Sequence, residues 1–345
     1  MKKYSFLVSG LALMMLATGT VKAEEISNSN VVNGTSLNVT KSLELVDKVL
    51  VPNTTFTFTI TGVSNEKETT KDGLNVYVGL TDGLETSKTV SYTNKDTIAS
   101  KEKTVAFDFS RVNYPTPGIY RYKVTETAGN TPGVSYSEQK YVVDVYALSE
   151  GDAIKPKYII SRQEGSDAKE PIKFNNGLKT TSLTVKKSVT GNAGDKNKDF
   201  GFTITLKADQ FYKESEKISA KLVDKGGSIT ERQLLVGVNK FTLKDGESLS
   251  IDKLPIGITY KVEEDVVEGY QQTATIDKDG MAGTATPEAY NFTEQVSDDT
   301  PDAIVVTNNK NINTPTGVAM AIAPYAVMTL VGIGGVLYFV KNKKA

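Results

Sequence analysis

Lys41 stands in the run Leu37-Asn38-Val39-Thr40-Lys41-Ser42-Leu43-Glu44-Leu45. An extended strand sends alternate side chains to opposite faces. Lys41 therefore shares a face with Leu37, Val39, Leu43 and Leu45. An ammonium aimed into such a layer is costly, because burial penalises the charged form. Either the strand is misread, the stem snorkels its charge to solvent, or the lysine is held neutral for chemistry. The same parity test gives it companions. Glu126 lies with Tyr120, Tyr122 and Val124, and Asn176 lies with Ile172 and Phe174. A second set repeats the types in the same order. Lys187 lies with Leu183, Val185 and Val189, Glu264 with Ile258, Tyr260 and Val262, and Asn308 with Ile304 and Val306. Parity prefers these over their neighbours Asn175, Glu263 and Asn309.

These types permit one reaction, amide formation between lysine and asparagine. Desolvation lowers a lysine pKa and raises a carboxyl pKa, so a buried Lys–Glu pair can exist as neutral amine and neutral acid. The amine is then a nucleophile. The protonated glutamate can donate to the carboxamide oxygen and pass a proton to the departing ammonia. The reaction occurs once per site and needs only proximity. The alternative is a duplicated Lys–Glu–Asn hydrogen-bond network without a bond.

The elements that must position these residues read as strands. Phe56, Phe58 and Ile60 alternate with threonines, as Val105, Phe107 and Phe109 alternate with polar or small residues. Pro52-Asn53, Asp72-Gly73, Pro117-Gly118 and Pro132-Gly133 punctuate them. The pattern predicts an all-β chain of two tandem immunoglobulin-like β-sandwiches, with one short helix candidate, Asp209 to Lys217. The second half repeats the first: Phe200-Gly201-Phe202-Thr203-Ile204-Thr205 echoes Phe56-Thr57-Phe58-Thr59-Ile60-Thr61. A repeat this long is a duplicated domain. The expected domains are 31–178 and 179–311, joined with almost no linker into a stiff rod.

The 345 residues carry a net charge of −1, with no cysteine and no histidine. Nothing invites nucleic acid. Disulfides, histidine triads and the commonest metal ligand are excluded, and no metal or cofactor is expected. Paired carboxylates for glycoside hydrolysis remain the one enzymatic alternative. The ends differ from the middle. Residues 1–23 read as a signal peptide cleaved between Ala23 and Glu24. The apolar run Val318 to Val340, followed by a basic tail, is long enough to span a membrane. These ends predict a secreted, cell-surface protein.

The two halves resemble the CnaB-type immunoglobulin-like modules of Gram-positive surface proteins. The chain as a whole resembles the streptococcal major pilins of the T-antigen type. The resemblance rests on LNVTKSLELV, YKVTE, PIKFNN, LTVKKSV, KDFGFTITLKA, FTLKDGES and GVAMAIAPY with GVLYFVKNKKA. It implies Lys41–Asn176 and Lys187–Asn308 isopeptide bonds assisted by Glu126 and Glu264. Asn313-Thr314-Pro315-Thr316-Gly317, ahead of the apolar run, resembles a sortase sorting signal in 313–345. Cleavage between Thr316 and Gly317 is then expected. By the same pattern Lys169 of the next subunit would receive Thr316, with Lys155, Lys157 and Lys173 as rivals. Head-to-tail joining of this kind makes filaments. The implied partners are further copies of the chain, a pilus sortase, minor pilins, peptidoglycan and a host surface. The alternative is a monomeric wall-anchored adhesin that binds a host ligand.

Overall fold

The computed structural model describes residues 30–64, 68–278 and 286–313. Among them are strands throughout and a single short 3-10 turn, Ile98–Ser100. Ala23, Glu24, Thr316, Gly317 and the apolar run 318–340 lie outside the described residues.

The first half is two sheets packed on a core that includes Val39, Phe56, Phe58, Tyr122, Val124 and Phe174. The smaller sheet runs Glu102–Asp108, Ser36–Glu44, Ile172–Leu178, Val134–Ser135. The larger one places Gly118–Thr127 between Lys140–Glu150 and Thr54–Gly62. Threonine, β-branched and aromatic residues fill these strands because they pack well on a pleated surface. In Ser36–Glu44, burial alternates through Leu37, Val39, Lys41 and Leu43.

The second half is built on the same scheme. Thr180–Thr190 and Asp302–Asn309 lie side by side in a seven-stranded sheet. A four-stranded sheet holding Phe200–Leu206 and Thr259–Glu264 faces it. In both halves the strand that carries the lysine pairs in parallel with the last strand. The offset is also the same. Lys41 is opposite Phe174, two residues before Asn176, and Lys187 is opposite Val306, two before Asn308.

Asp209 to Lys217 is not helical. The Asp209 carboxylate accepts the backbone N–H of Phe211 and of Tyr212, Ser215 takes a φ of 68°, and Lys217 already begins a strand. An aspartate that bonds the backbone two or three residues on offers the chain a turn instead of a helix. Tyr212 from this turn is buried in the second core.

Only Lys179 separates the strands Ile172–Leu178 and Thr180–Thr190, and its N–H donates to Gly133. A second tie is less obvious. The segment after the Lys41 strand keeps Leu45 and Val51 in the first core but sends Leu50 into the second. Beside it Asn53 donates from both its backbone and its side chain to the Phe211 carbonyl, each at 2.8 Å. Lys253 reaches back to the Asp47 carbonyl.

Candidate functional site

Lys41 is wholly buried and lies over the face of Phe56, with Nζ 4.2 Å from the ring centroid. The Gly118–Thr127 strand, in the opposite sheet, lowers Glu126 onto it. Lys41 Nζ donates to Glu126 Oε2 at 2.9 Å. Asn176, from the strand beside Lys41, donates from Nδ2 to Glu126 Oε1 at 2.5 Å. One carboxyl group thus touches both the amine and the amide nitrogen. The carboxamide oxygen, Oδ1, accepts the backbone N–H of Ser137 at 3.1 Å. Sequence reasoning aimed the glutamate at the carboxamide oxygen; in the structure the glutamate accepts from the amide nitrogen, and the oxygen accepts the Ser137 N–H.

Burial lowers the Lys41 pKa from 10.5 to about 8, against the hydrogen bond and charge of Glu126, which pull it up. A larger fraction of neutral amine is therefore present than on an exposed lysine. The arrangement suits a proton relay. A carboxyl group can take a proton from Nζ through one oxygen and deliver one to Nδ2 through the other.

The second site has the same frame and different details. Lys187 is wholly buried, 4.3 Å from the Phe200 ring centroid and 3.1 Å from Glu264 Oε1. Its pKa is lowered by burial, against the charge and hydrogen bond of Glu264. Here Nζ also donates to the carbonyls of Ser188 and Val306. Gln272, opposite Asn308 on the neighbouring strand, donates to Glu264 Oε2 at 2.6 Å. Asn308 is buried, and its Oδ1 has no hydrogen-bond partner among the described residues.

Sequence reasoning missed four contributors. Phe56 and Phe200 were legible, since the repeat aligns them, but their role as a floor beneath the lysine was not drawn. Gln272 has no counterpart in the first set. The Ser137 donor is a backbone group and leaves no mark in residue types.

Lys169 sits apart from both sites. It forms an antiparallel bridge with Arg162, and its carbonyl accepts Asn30 Nδ2 at 2.9 Å. It borders a groove of about 500 Å³ shared with Glu68, Lys71, Asp72 and Arg162. Its rivals are ion-paired: Lys155 and Lys157 with Glu150, Lys173 with Glu102. Among the described residues no carboxylate lies within ion-pairing distance of the Lys169 ammonium.

Comparison with known proteins gives consistent relatives. Residues 37–179 match the Spy0128-like isopeptide containing domain, and residues 181–310 match a domain of unknown function, DUF7601. A curated pilin of Streptococcus pyogenes serotype M1 is 44% identical, with 100% of both chains covered. The major pilin T3.2 of Streptococcus pyogenes superimposes with a TM-score of 0.75 at 39% identity, over 82% of this chain and 100% of that one. The pilus tip adhesin Cpa of Streptococcus pyogenes is 32% identical over 40% of this chain and 18% of its own.

Proposed function

The chain belongs to the streptococcal pilins as a structural backbone subunit of a surface pilus, and on that premise we propose that it closes two internal isopeptide bonds and is then joined to its neighbours by a third. The internal bonds link Lys41 to Asn176 and Lys187 to Asn308, with Glu126 and Glu264 moving the protons. One observation carries this reading: in each half a wholly buried lysine meets a buried glutamate, and a buried asparagine stands at the same offset, two residues past the lysine's opposite number on the paired strand. A hydrogen-bond network kept only for structure would have to bury a lysine amine twice. Bond formation converts that amine to a neutral amide and removes the cost of its charge.

The polymer link joins Thr316 of one subunit, delivered as a sortase acyl-enzyme, to Lys169 of the next. An acceptor amine must lose its proton before it attacks. Lys155, Lys157 and Lys173 are each engaged by a carboxylate, whereas Lys169 is not ion-paired among the described residues, which favours Lys169. The last subunit of the fibre is passed to peptidoglycan, and a tip adhesin related to Cpa is the fitting minor partner. The domains are taken as 31–178 and 179–311, with a signal peptide at 1–23 and the sorting segment at 313–345.

The test is the intact mass of the folded protein. The expected mass is lower than that of the linear chain by two molecules of ammonia. Lys41→Ala and Lys187→Ala each restore one of them, after allowance for the substitution itself. An unaltered wild-type mass would leave only buried polar networks and sink the proposal.

A further inference from the structure

When Lys41 Nζ adds to the Asn176 carboxamide carbon, negative charge collects on Oδ1. A hydrogen bond to that atom strengthens as the charge grows, because donors bind charged acceptors more strongly than neutral ones. The only donor given to Oδ1 among the described residues is the Ser137 backbone N–H, at 3.1 Å. We propose that Ser137 N–H is the oxyanion donor of the first amide-forming reaction and that the second site lacks an equivalent, so the Lys41–Asn176 bond forms faster than the Lys187–Asn308 bond. This rests on the reading that both bonds form.

The donor is fixed in advance. Tyr136 packs against Phe56, the ring beneath Lys41, with centroids 5.7 Å apart. Its hydroxyl accepts the Thr131 N–H at 3.1 Å. Ser137 Oγ accepts the Gln139 N–H, and from Lys140 the chain is paired to the strand that carries Glu126. The segment is thus anchored on the floor of the site at one end and on the relay strand at the other. A donor so held costs no reorganisation as the reaction proceeds.

The step balances without a further reactant. The bond formed is Nζ–Cγ, and the bond broken is Cγ–Nδ2. One proton leaves Nζ for Glu126 and another passes from Glu126 to Nδ2, which departs as ammonia. Ser137 only donates a hydrogen bond. In the second site Asn308 Oδ1 has no partner among the described residues, and the amide opposite it, Gln272, gives its Nε2 to Glu264. Loss of one oxyanion donor elsewhere costs roughly 10²-fold to 10³-fold in rate.

The experiment follows both bonds in one tube. The full chain is recovered unfolded from inclusion bodies, diluted into folding buffer and digested at intervals. The crosslinked peptide pairs are then counted by mass spectrometry. The Lys41–Asn176 pair is expected to accumulate at least about tenfold faster than the Lys187–Asn308 pair. Ser137→Pro, which removes the N–H, slows the first pair alone, while Ser137→Ala, which keeps it, does not. Equal rates in the wild type overturn the proposal, and so does an undiminished first rate in folded Ser137→Pro. If Ser137→Pro does not fold, the wild-type ratio decides. A chain that forms neither pair overturns the underlying reading, and this one with it.

Discussion

Two influences of opposite sign act on the Lys41 amine. The Phe56 ring and the surrounding core strip it of water, and Glu126 returns part of what water supplied. Burial prevails and holds the pKa at about 8 instead of 10.5. Between those values the unfolded chain carries a proton that the folded chain lacks, so stability rises with pH across the window. Asn176→Ala leaves the amine nothing to attack and so exposes the effect. Its urea-measured stability is expected to increase by about 1–2 kcal/mol between about pH 7.5 and about pH 9.5. The double variant with Lys41→Met is expected to lose that increment; an equal rise in both would show that Lys41 is not its source. At this scale the sequence was legible where strand parity reports a side chain. Lys41, Glu126 and Asn176 each stand out as polar residues on apolar faces. Ser137 does not, because its contribution is a backbone N–H that any residue but proline would supply. Gln272 and the unpartnered Asn308 oxygen are equally invisible to parity.

Among the elements, alternation and the internal repeat made the site strands legible. They could not fix which strands are neighbours, because pairing of the lysine strand with the last strand is a contact across nearly the whole half. The helix candidate at Asp209 gives way to a turn because its own carboxylate takes the backbone N–H groups of Phe211 and Tyr212. The segment between Ser36–Glu44 and Thr54–Gly62 carried no period at all, and it holds Leu50. That leucine is a loop residue by sequence and a core residue by position, since the core it enters belongs to the other half. Leu50→Ala removes a buried leucine without touching either triad and is expected to cost about 2–5 kcal/mol. Because Leu50 ties the halves, a single urea transition is expected to separate into two, read by tyrosine fluorescence and far-UV circular dichroism. Coincident, unshifted transitions would show that the junction at Lys179 suffices.

In the whole molecule, the proposed joints define a route for tension. A pull at Lys169 enters just ahead of Ile172–Leu178, crosses Lys179 into Thr180–Thr190, and reaches Lys187. A bond from there to Asn308 would carry it straight to the last strand and out toward 313. Nearly all of the second half then hangs beside the load, not in it. Lys169→Ala in the pilus-forming cell is expected to abolish the detergent-resistant ladder of polymers, while Lys155→Ala, Lys157→Ala and Lys173→Ala leave it intact. A persistent ladder in Lys169→Ala would move the joint elsewhere.

The parallel pairing of each lysine strand with the last strand of its half also sets a timetable. A ribosome releases the amino end first, so Lys41 emerges long before Asn176, and Lys187 long before Asn308. Neither amine meets its carboxamide until its half is almost completely made. Leu50 waits longest, since the core that houses it is finished only by Ile304 and Val306. Closure of the proposed bonds is thereby reserved, in each half, for chains translated past that half's last strand, and a copy truncated within a half leaves that half unsealed.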